Sequence, residues 1–321
     1  MNFVILGTTE FTLCCAQAVI DSGQNISGLI SLPSNKLPLN STDIHQYAGK
    51  HKIPYYEIDD VNSDDAIKLI KNLKPDFILS SWPKILKKNI LNIPTRYCIG
   101  SHPTVLPFNR GRHPLHWMIT LGITDTAVSF FKIDENIDNG NILLQIPFSI
   151  DGNDCIADAV EKMNQTAYQG LSDLIKRLTD DQSYDGEVQE EIKANYWRKR
   201  SIHDTIIDFR ITAKHIIQMV RSYTTPYPCA KLIFEDYMLD ILDVQIDHAQ
   251  MTYGELKRIE PGKIIAVGQK YICVKASDEI VRLIFKKNLP EGMATSAYIH
   301  PPTKYISNWK EKLIVTNGLR E

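Results

Sequence analysis

The sequence has no CxxC pair. Its six cysteines stand at 14, 15, 98, 155, 229 and 273, mostly in apolar surroundings such as RYCIG around Cys98 and YICVK around Cys273. That spacing reads as reduced core thiols and argues against a zinc site or a disulfide framework. Positive charge is not in excess either: 36 Lys plus Arg stand against 38 Asp plus Glu, a formal net charge of −2. General binding to a phosphate backbone gets no electrostatic support. No window reaches the roughly 18 continuous apolar residues of a membrane span. The opening MNFVILGTTEFTLCC lacks a positive n-region, and Glu10 interrupts its apolar run. No secretory leader is expected, and a cytoplasmic location is. With 43% hydrophobic and 23% charged residues over 321 positions, the composition is that of a globular chain of roughly two domains.

Within the first 150 residues, short apolar runs alternate with amphipathic stretches. Strands are expected at 2–6, 26–31, 55–58, 77–80 and 97–101, and helices at 11–20, 42–50, from Ser63 and Asp64 to 73, and 86–91. Gly23 can end the first helix, and Ser63 with Asp64 can cap the third. Strands of this length separated by helices imply right-handed crossovers and a mostly parallel sheet. Longer strands at 127–133 and 142–148 flank the turn DENIDNGN. A helix over 154–178 follows, with Ile156, Val160, Met163, Ala167, Leu171 and Leu174 on one stripe. The acidic TDDQSYDGEVQEEI at 179–192 reads as the linker, and the basic cluster Arg198, Lys199 and Arg200 comes soon after it. Beyond it come one helix at 211–223 and five strands at 231–234, 238–246, 263–267, 271–275 and 280–285. This is the pattern of a small barrel-like β domain. The expected division is 1–185, a linker at 186–206, and 207–321.

Several motifs are missing. The first βα turn, LGTTEF, keeps only Gly7 of the glycines a dinucleotide pyrophosphate needs, and neither G-x-x-x-x-G-K-[ST] nor G-x-S-x-G occurs. Asp134, Asn136 and Asp138 alternate as in a calcium loop. However, the Gly falls one place late and the twelfth position is Gln145, so a turn capped by its own Asp and Asn is the expected reading.

The densest polar cluster is SHPTVLPFNRGRHPLH at 101–116. His102 directly follows an apolar strand, and open α/β sheets gather ligands at strand carboxyl ends. Imidazole titrates near neutral pH, which suits a general acid/base. His113 and His116 open an expected helix, and His113 reads as a solvated first-turn residue. Arg110 and Arg112 are either surface charges or a planar fork for a phosphate or carboxylate.

These residues carry a family resemblance. IGSHPTVLPFNRGRHPLHW followed by IDENIDNGNILLQ resembles the signature of the folate-dependent formyltransferases, approximately N-x-H-x-S-L-L-P-x-x-R-G-x-x-P-x-x-W and then I-D-x-G-x-I-x-x-Q. LGTTEF resembles the GTPEF of the methionyl-tRNA formyltransferase type. RKRSIHDTIIDF and MVRSYTTPYPCAKL resemble the segments leading into that family's C-terminal barrel-like domain. The resemblance covers nearly the whole chain, in order. It implies an α/β fold: a Rossmann-like, mostly parallel sheet followed by a small OB-type β domain.

It also implies transfer of a formyl group from 10-formyltetrahydrofolate to an amine. Carried over by position, His102 and Asp138 are the catalytic pair. The pterin is expected against the backbone at 82–86 (Trp82, Ile85, Leu86), at 105–107 (Val105, Leu106) and along the 134–138 turn (Asp134, Ile137). Gly100 stands where the family has an Asn that stabilises the formyl oxygen. On an extended strand Ser101 faces away from that position and is no obvious substitute. Three readings of Gly100 stay open: another group supplies the hydrogen bond, the glycine makes room for a different substrate or a water, or catalysis has decayed.

The loop after the second strand, LPSNKLPLNST, is short and carries one Lys, whereas the tRNA enzymes have a basic insertion there. With GRHPLHW, this resembles the sugar N-formyltransferases. The expected acceptor is a nucleotide-linked amino deoxysugar destined for surface polysaccharide, with Arg112, His116 and Gly100 on its side of the site. Neither tRNA nor a membrane is an expected partner, and a homodimer is left open. The alternatives are a methionyl-tRNA formyltransferase, or a folate- or nucleotide-sugar-binding relative with impaired catalysis.

Overall fold

In the computed structural model, residues 1–247 and 251–305 are described. The chain divides into two compact units, one of Met1–Met118 with Ile123–Lys199, the other of Ile119–Gly122 with the residues from Arg200 on. From the N-terminus the elements run β1 (Asn2–Leu6), α1 (Glu10–Asp21), β2 (Asn25–Ser31), α2 (Ile44–His51), β3 (Tyr55–Glu57), α3 (Asp64–Asn72), β4 (Phe77–Ser80), α4 (Lys88–Leu91), β5 (Tyr97–His102), β6 (Arg110–Gly111), α5 (Pro114–Leu121), β7 (Asp125–Lys132), β8 (Ile142–Ser149), α6 (Ile156–Asp180) and β9 (Tyr196–Trp197). Seven strands form one sheet in the order β3-β2-β1-β4-β5-β7-β8. The first five are parallel; β7 and β8 add antiparallel edges.

The local reasons are those the sequence offers. Phe3, Val4, Ile5 and Leu6 are all buried, as a central parallel strand covered on both faces requires. Ser63 accepts from the Ala66 amide at the start of α3, and Gly23 follows α1 with φ +69°. Helix α6 starts where the Asp158 carboxylate receives the Cys155 amide at 2.8 Å. It buries Ile156, Ala159, Ala167, Leu171, Leu174, Ile175 and Leu178, while Val160 and Met163 stay partly exposed. The helix expected at 86–91 shrinks to α4. Asn62 binds the Ile85 carbonyl and the Lys87 amide at 3.0 and 2.8 Å, which holds 85–87 out of helical geometry.

The acidic stretch read as a linker is built into the first unit. Glu187 exchanges two backbone hydrogen bonds with Ile142, Gln189 is buried, and β9 pairs with β6. Its partners are carbonyls and an arginine, so it carries almost no apolar signature. The second unit contains α7 (Ala213–Ser222), β10 (Ala230–Phe234), β11 (Tyr237–Ile246), α8 (Tyr253–Leu256), β12 (Ile264–Val267), β13 (Tyr271–Lys275) and β14 (Ile280–Phe285). Its five strands form an antiparallel sheet in the order β10-β11-β14-β13-β12. Among the described residues no pairing closes β12 onto β10. All six cysteines are free, and Cys15, Cys98, Cys229 and Cys273 are buried.

Candidate active site

His102 is the last residue of β5, held in register by antiparallel pairing with Ser129 of β7. Just beyond it the chain is tied down by side-chain hydroxyls: Thr126 donates to the Pro103 carbonyl at 3.0 Å and Thr104 to that of Phe108 at 2.7 Å. The His102 ring is buried, and its Nε2 lies 2.8 Å from the Asn109 carbonyl oxygen. A carbonyl only accepts, so Nε2 carries the hydrogen, and Nδ1 is the nitrogen left to face Asp138. Nδ1 stands 3.5 Å from Asp138 Oδ2.

Asp138 sits in the loop between β7 and β8 with φ +52°. Asp tolerates this left-handed conformation better than most residues. Its Oδ2 accepts the Gly111 amide at 2.9 Å. Gly111 is itself required: φ is +108°, and a side chain there would collide with the Trp197 carbonyl. At the start of the same loop the Asp134 carboxylate takes the Asn136 amide at 2.8 Å, the Asx turn that the sequence suggests.

A cleft of about 440 Å³ opens at these strand ends. Of the residues singled out in the sequence, Trp82, Ile85, Leu86, Gly100, His102, Arg112, Asp134, Ile137 and Asp138 line it. Val105, Leu106 and His116 do not. Val105 is exposed, Leu106 is buried beneath Gln145 and Ser129, and His116 is buried on α5 beside the His113 ring. Ile85 and Ile137 line the cleft and leave 70% and 54% of their surface open. The Trp82 indole N–H is buried, with no hydrogen-bond partner among the described residues. Arg112 is exposed, and among the described residues no carboxylate pairs with it.

Arg110 is neither a surface charge nor part of a clamp. It is fully buried, giving Nε and Nη2 to Gln189 Oε1 at 3.2 and 2.8 Å, and Nη1 to Glu191 and the Tyr196 hydroxyl at 2.8 and 2.7 Å. Gln189, Glu191 and Phe131 carry no sequence pattern that marks them. Phe131 matters because it fills the space beside Gly100: a Cβ there would come within 2.8 Å of Phe131 Cζ and 2.9 Å of Ile133 Cγ1. The first atom of any side chain at position 100 would meet hydrocarbon.

A buried imidazole and a carboxylate meet at the strand ends of an α/β sheet, beside a cleft that the Arg112 guanidinium also lines. The family model described as "Formyl transferase" matches residues 1–175, more than half of the chain, and the model for that family's C-terminal domain matches residues 200–293. The chain belongs to the formyl transferase family, enzymes of folate-dependent formyl transfer.

A methionyl-tRNA formyltransferase of Clostridioides difficile is 28% identical over 306 residues, covering 93% of this chain and 96% of the relative. Among solved structures, WlaRD, a sugar 3N-formyl transferase crystallised in the presence of dTDP and 5-N-formyl-THF, aligns with a TM-score of 0.65 at 16% identity. The alignment covers 90% of this chain and 99% of that one. The N-formyltransferase of Helicobacter canadensis in complex with folinic acid and dTDP-3-aminofucose aligns at 0.64 and 16%, covering 88% and 98%. At these identities the structural likeness speaks for the fold alone.

Proposed function

We propose that the protein transfers a formyl group from 10-formyltetrahydrofolate to the amine of a nucleotide-linked amino deoxysugar, with a product that feeds polysaccharide assembly. The observation that carries this is the approach of His102 Nδ1 to Asp138 Oδ2, 3.5 Å apart in a cleft-lining pair. The cleft fits a reduced pterin. An orphaned indole N–H at Trp82 and the open flanks of Ile85 and Ile137 provide one donor and two apolar walls for a flat ring edged with polar atoms. When bound, 10-formyltetrahydrofolate supplies an activated one-carbon unit.

The chain's own part is proton handling and orientation. Asp138 Oδ2 is held by the Gly111 amide, while Oδ1 has no hydrogen bond among the described residues and is placed to take a proton from the attacking amine. His102, with Nε2–H fixed on Asn109, offers Nδ1 beside that carboxylate and adds electrostatic support where charge develops. Arg112 supplies a planar cation for the diphosphate.

The sugar reading is supported by the charge around β2. Lys36, the one lysine of that loop, is already paired with Asp59 at 2.6 Å, and the net charge of −2 offers a polyanion little attraction. A second reading, formylation of methionyl-tRNA, rests on the 28% identity to the C. difficile enzyme. One experiment separates them. The protein is incubated with 10-formyltetrahydrofolate and, in parallel, with dTDP- and UDP-linked amino sugars or with charged initiator tRNA, and products are read by mass. Formylated sugar supports the first reading and formylated methionyl-tRNA the second; with neither product and no folate binding, both are lost.

A further inference from the structure

Four hydrogen bonds converge on the side chain of Gln189, nine residues beyond the end of α6. Its Nε2 donates to the main-chain oxygens of Asp138 and Gly140 at 2.9 and 2.7 Å. Its Oε1 accepts from Arg110 Nε and Nη2 at 3.2 and 2.8 Å. A primary amide has two N–H donors and two carbonyl lone pairs, so its capacity is filled. The amide cannot be turned round: guanidinium only donates and backbone carbonyls only accept, which settles the oxygen and nitrogen positions.

The loop it grips is one that needs holding. Asp138 has φ +52°, and its carboxylate must stay on the Gly111 amide to face His102. Gly111 belongs to β6, which pairs with β9, and the Arg112 amide donates to the Trp197 carbonyl at 3.2 Å. Residues 186–199 thus touch both walls of the carboxylate's seat, through Gln189 on one side and β9 on the other.

We infer that Gln189 is a positioning residue for Asp138, locked by Arg110, and that the strap at 186–199 sets the geometry of the proton acceptor. The inference rests on the formyl-transfer reading. Misplacing a reacting group by about 1 Å costs on the order of 100-fold in rate, so a strap that fixes the Asp138 backbone acts on turnover while leaving substrate contacts in place.

The discriminating variant is Gln189→Glu. It keeps the shape and the contact with Arg110, but turns a carboxylate oxygen toward two carbonyl oxygens. Gln189→Met, of equal length and without polar atoms, serves if that protein fails to fold. Two measurements are made on the full chain: exchange of the Gly111 amide, which reports its bond to Asp138, and steady-state kinetics with the acceptor found above. The expected result is faster Gly111 exchange, with amides of β1 and β4 unchanged. Turnover falls about 10- to 100-fold, while the KM for acceptor stays within about twofold, as expected when an interaction outside substrate binding is lost. Unchanged Gly111 exchange, unchanged kcat, or a fall traced to loosening of the whole sheet overturns the inference. Should the unaltered protein transfer no formyl group, the functional reading fails, and the exchange measurement alone decides whether Gln189 holds the loop.

Discussion

A Cβ placed on Gly100 would lie 2.8 Å from Cζ of Phe131, the residue paired with it across β5 and β7. The glycine and the aromatic ring are two halves of one packing solution, with Ile133 closing the third side. The direction in which a side chain would leave position 100 is filled by hydrocarbon, while Gly100 itself stays on the cleft wall.

Gly100→Asn alone is therefore expected to harm the protein. Forcing a side chain into a filled site typically costs about 1–3 kcal/mol. The double variant Gly100→Asn/Phe131→Ala opens the space and is expected to recover part of that stability. Thermal melts of the two single variants and the double give the coupling. Strictly additive effects would show that the two positions are not in contact. If the double variant also gains turnover over wild type, the site had lost an oxyanion donor; if it loses turnover, Phe131 is part of how the present acceptor is held.

Arg110 and Glu191 form an unequal pair, with side chains 0% and 64% exposed. Truncating Glu191 to Ala is expected to cost less than about 1 kcal/mol, in the range of exposed ion pairs. Arg110→Met strands the buried Oε1 of Gln189, and an unsatisfied buried acceptor costs about 1–3 kcal/mol. Urea titrations of both variants test the asymmetry. Equal losses would mean that the charge pair, and not the amide behind it, is what Arg110 sustains.

The contrast between these residues shows what the sequence made visible. The strand starting at Asn2 and the helix ending before Gly23 were legible because burial repeats with the period of the backbone and because caps have local chemistry. His102 was legible because a polar residue ends an apolar strand. Its partnership with Asp138, 36 positions away, came only through the family resemblance. Gln189 was invisible. It binds carbonyls and a guanidinium 49 to 79 residues distant, and contacts between polar groups leave no periodicity in a chain. The same segment looked like a linker for that reason. Val105, Leu106 and His116, carried over by the resemblance, stand outside the lining of the cleft.

Arg112 lines the cleft without a carboxylate partner among the described residues. Under the sugar reading, Arg112→Ala is expected to raise the KM for a nucleotide sugar about 10-fold or more, the loss of a charge-assisted contact of about 1.5–3 kcal/mol. Folate affinity should be little changed. Initial rates across acceptor concentrations, with folate affinity followed by tryptophan fluorescence, check this. An unchanged KM would remove Arg112 from the acceptor's side.

Cys98 lies in β5, four residues before His102, in a cluster with Val4, Ile78 and Trp82. Burial pushes its thiol from 9.0 up to about 12. The folded chain keeps this proton as pH rises, whereas the unfolded chain releases it above about pH 9, so the unfolded state gains free energy that the native state does not. The stabilisation is fully present below pH 9 and is lost as pH climbs toward 12, at about 1.4 kcal/mol per pH unit. The other cysteines contribute too, but they do so equally in Cys98→Ala. The measurement is therefore the difference between wild type and Cys98→Ala in urea-derived stability at pH 8, 9, 10 and 10.5. The wild type should start ahead and lose its lead progressively above pH 9. Parallel curves would mean that the thiol reaches solvent in the native state, and that the sheet beneath the His102 site opens far more readily than its packing implies.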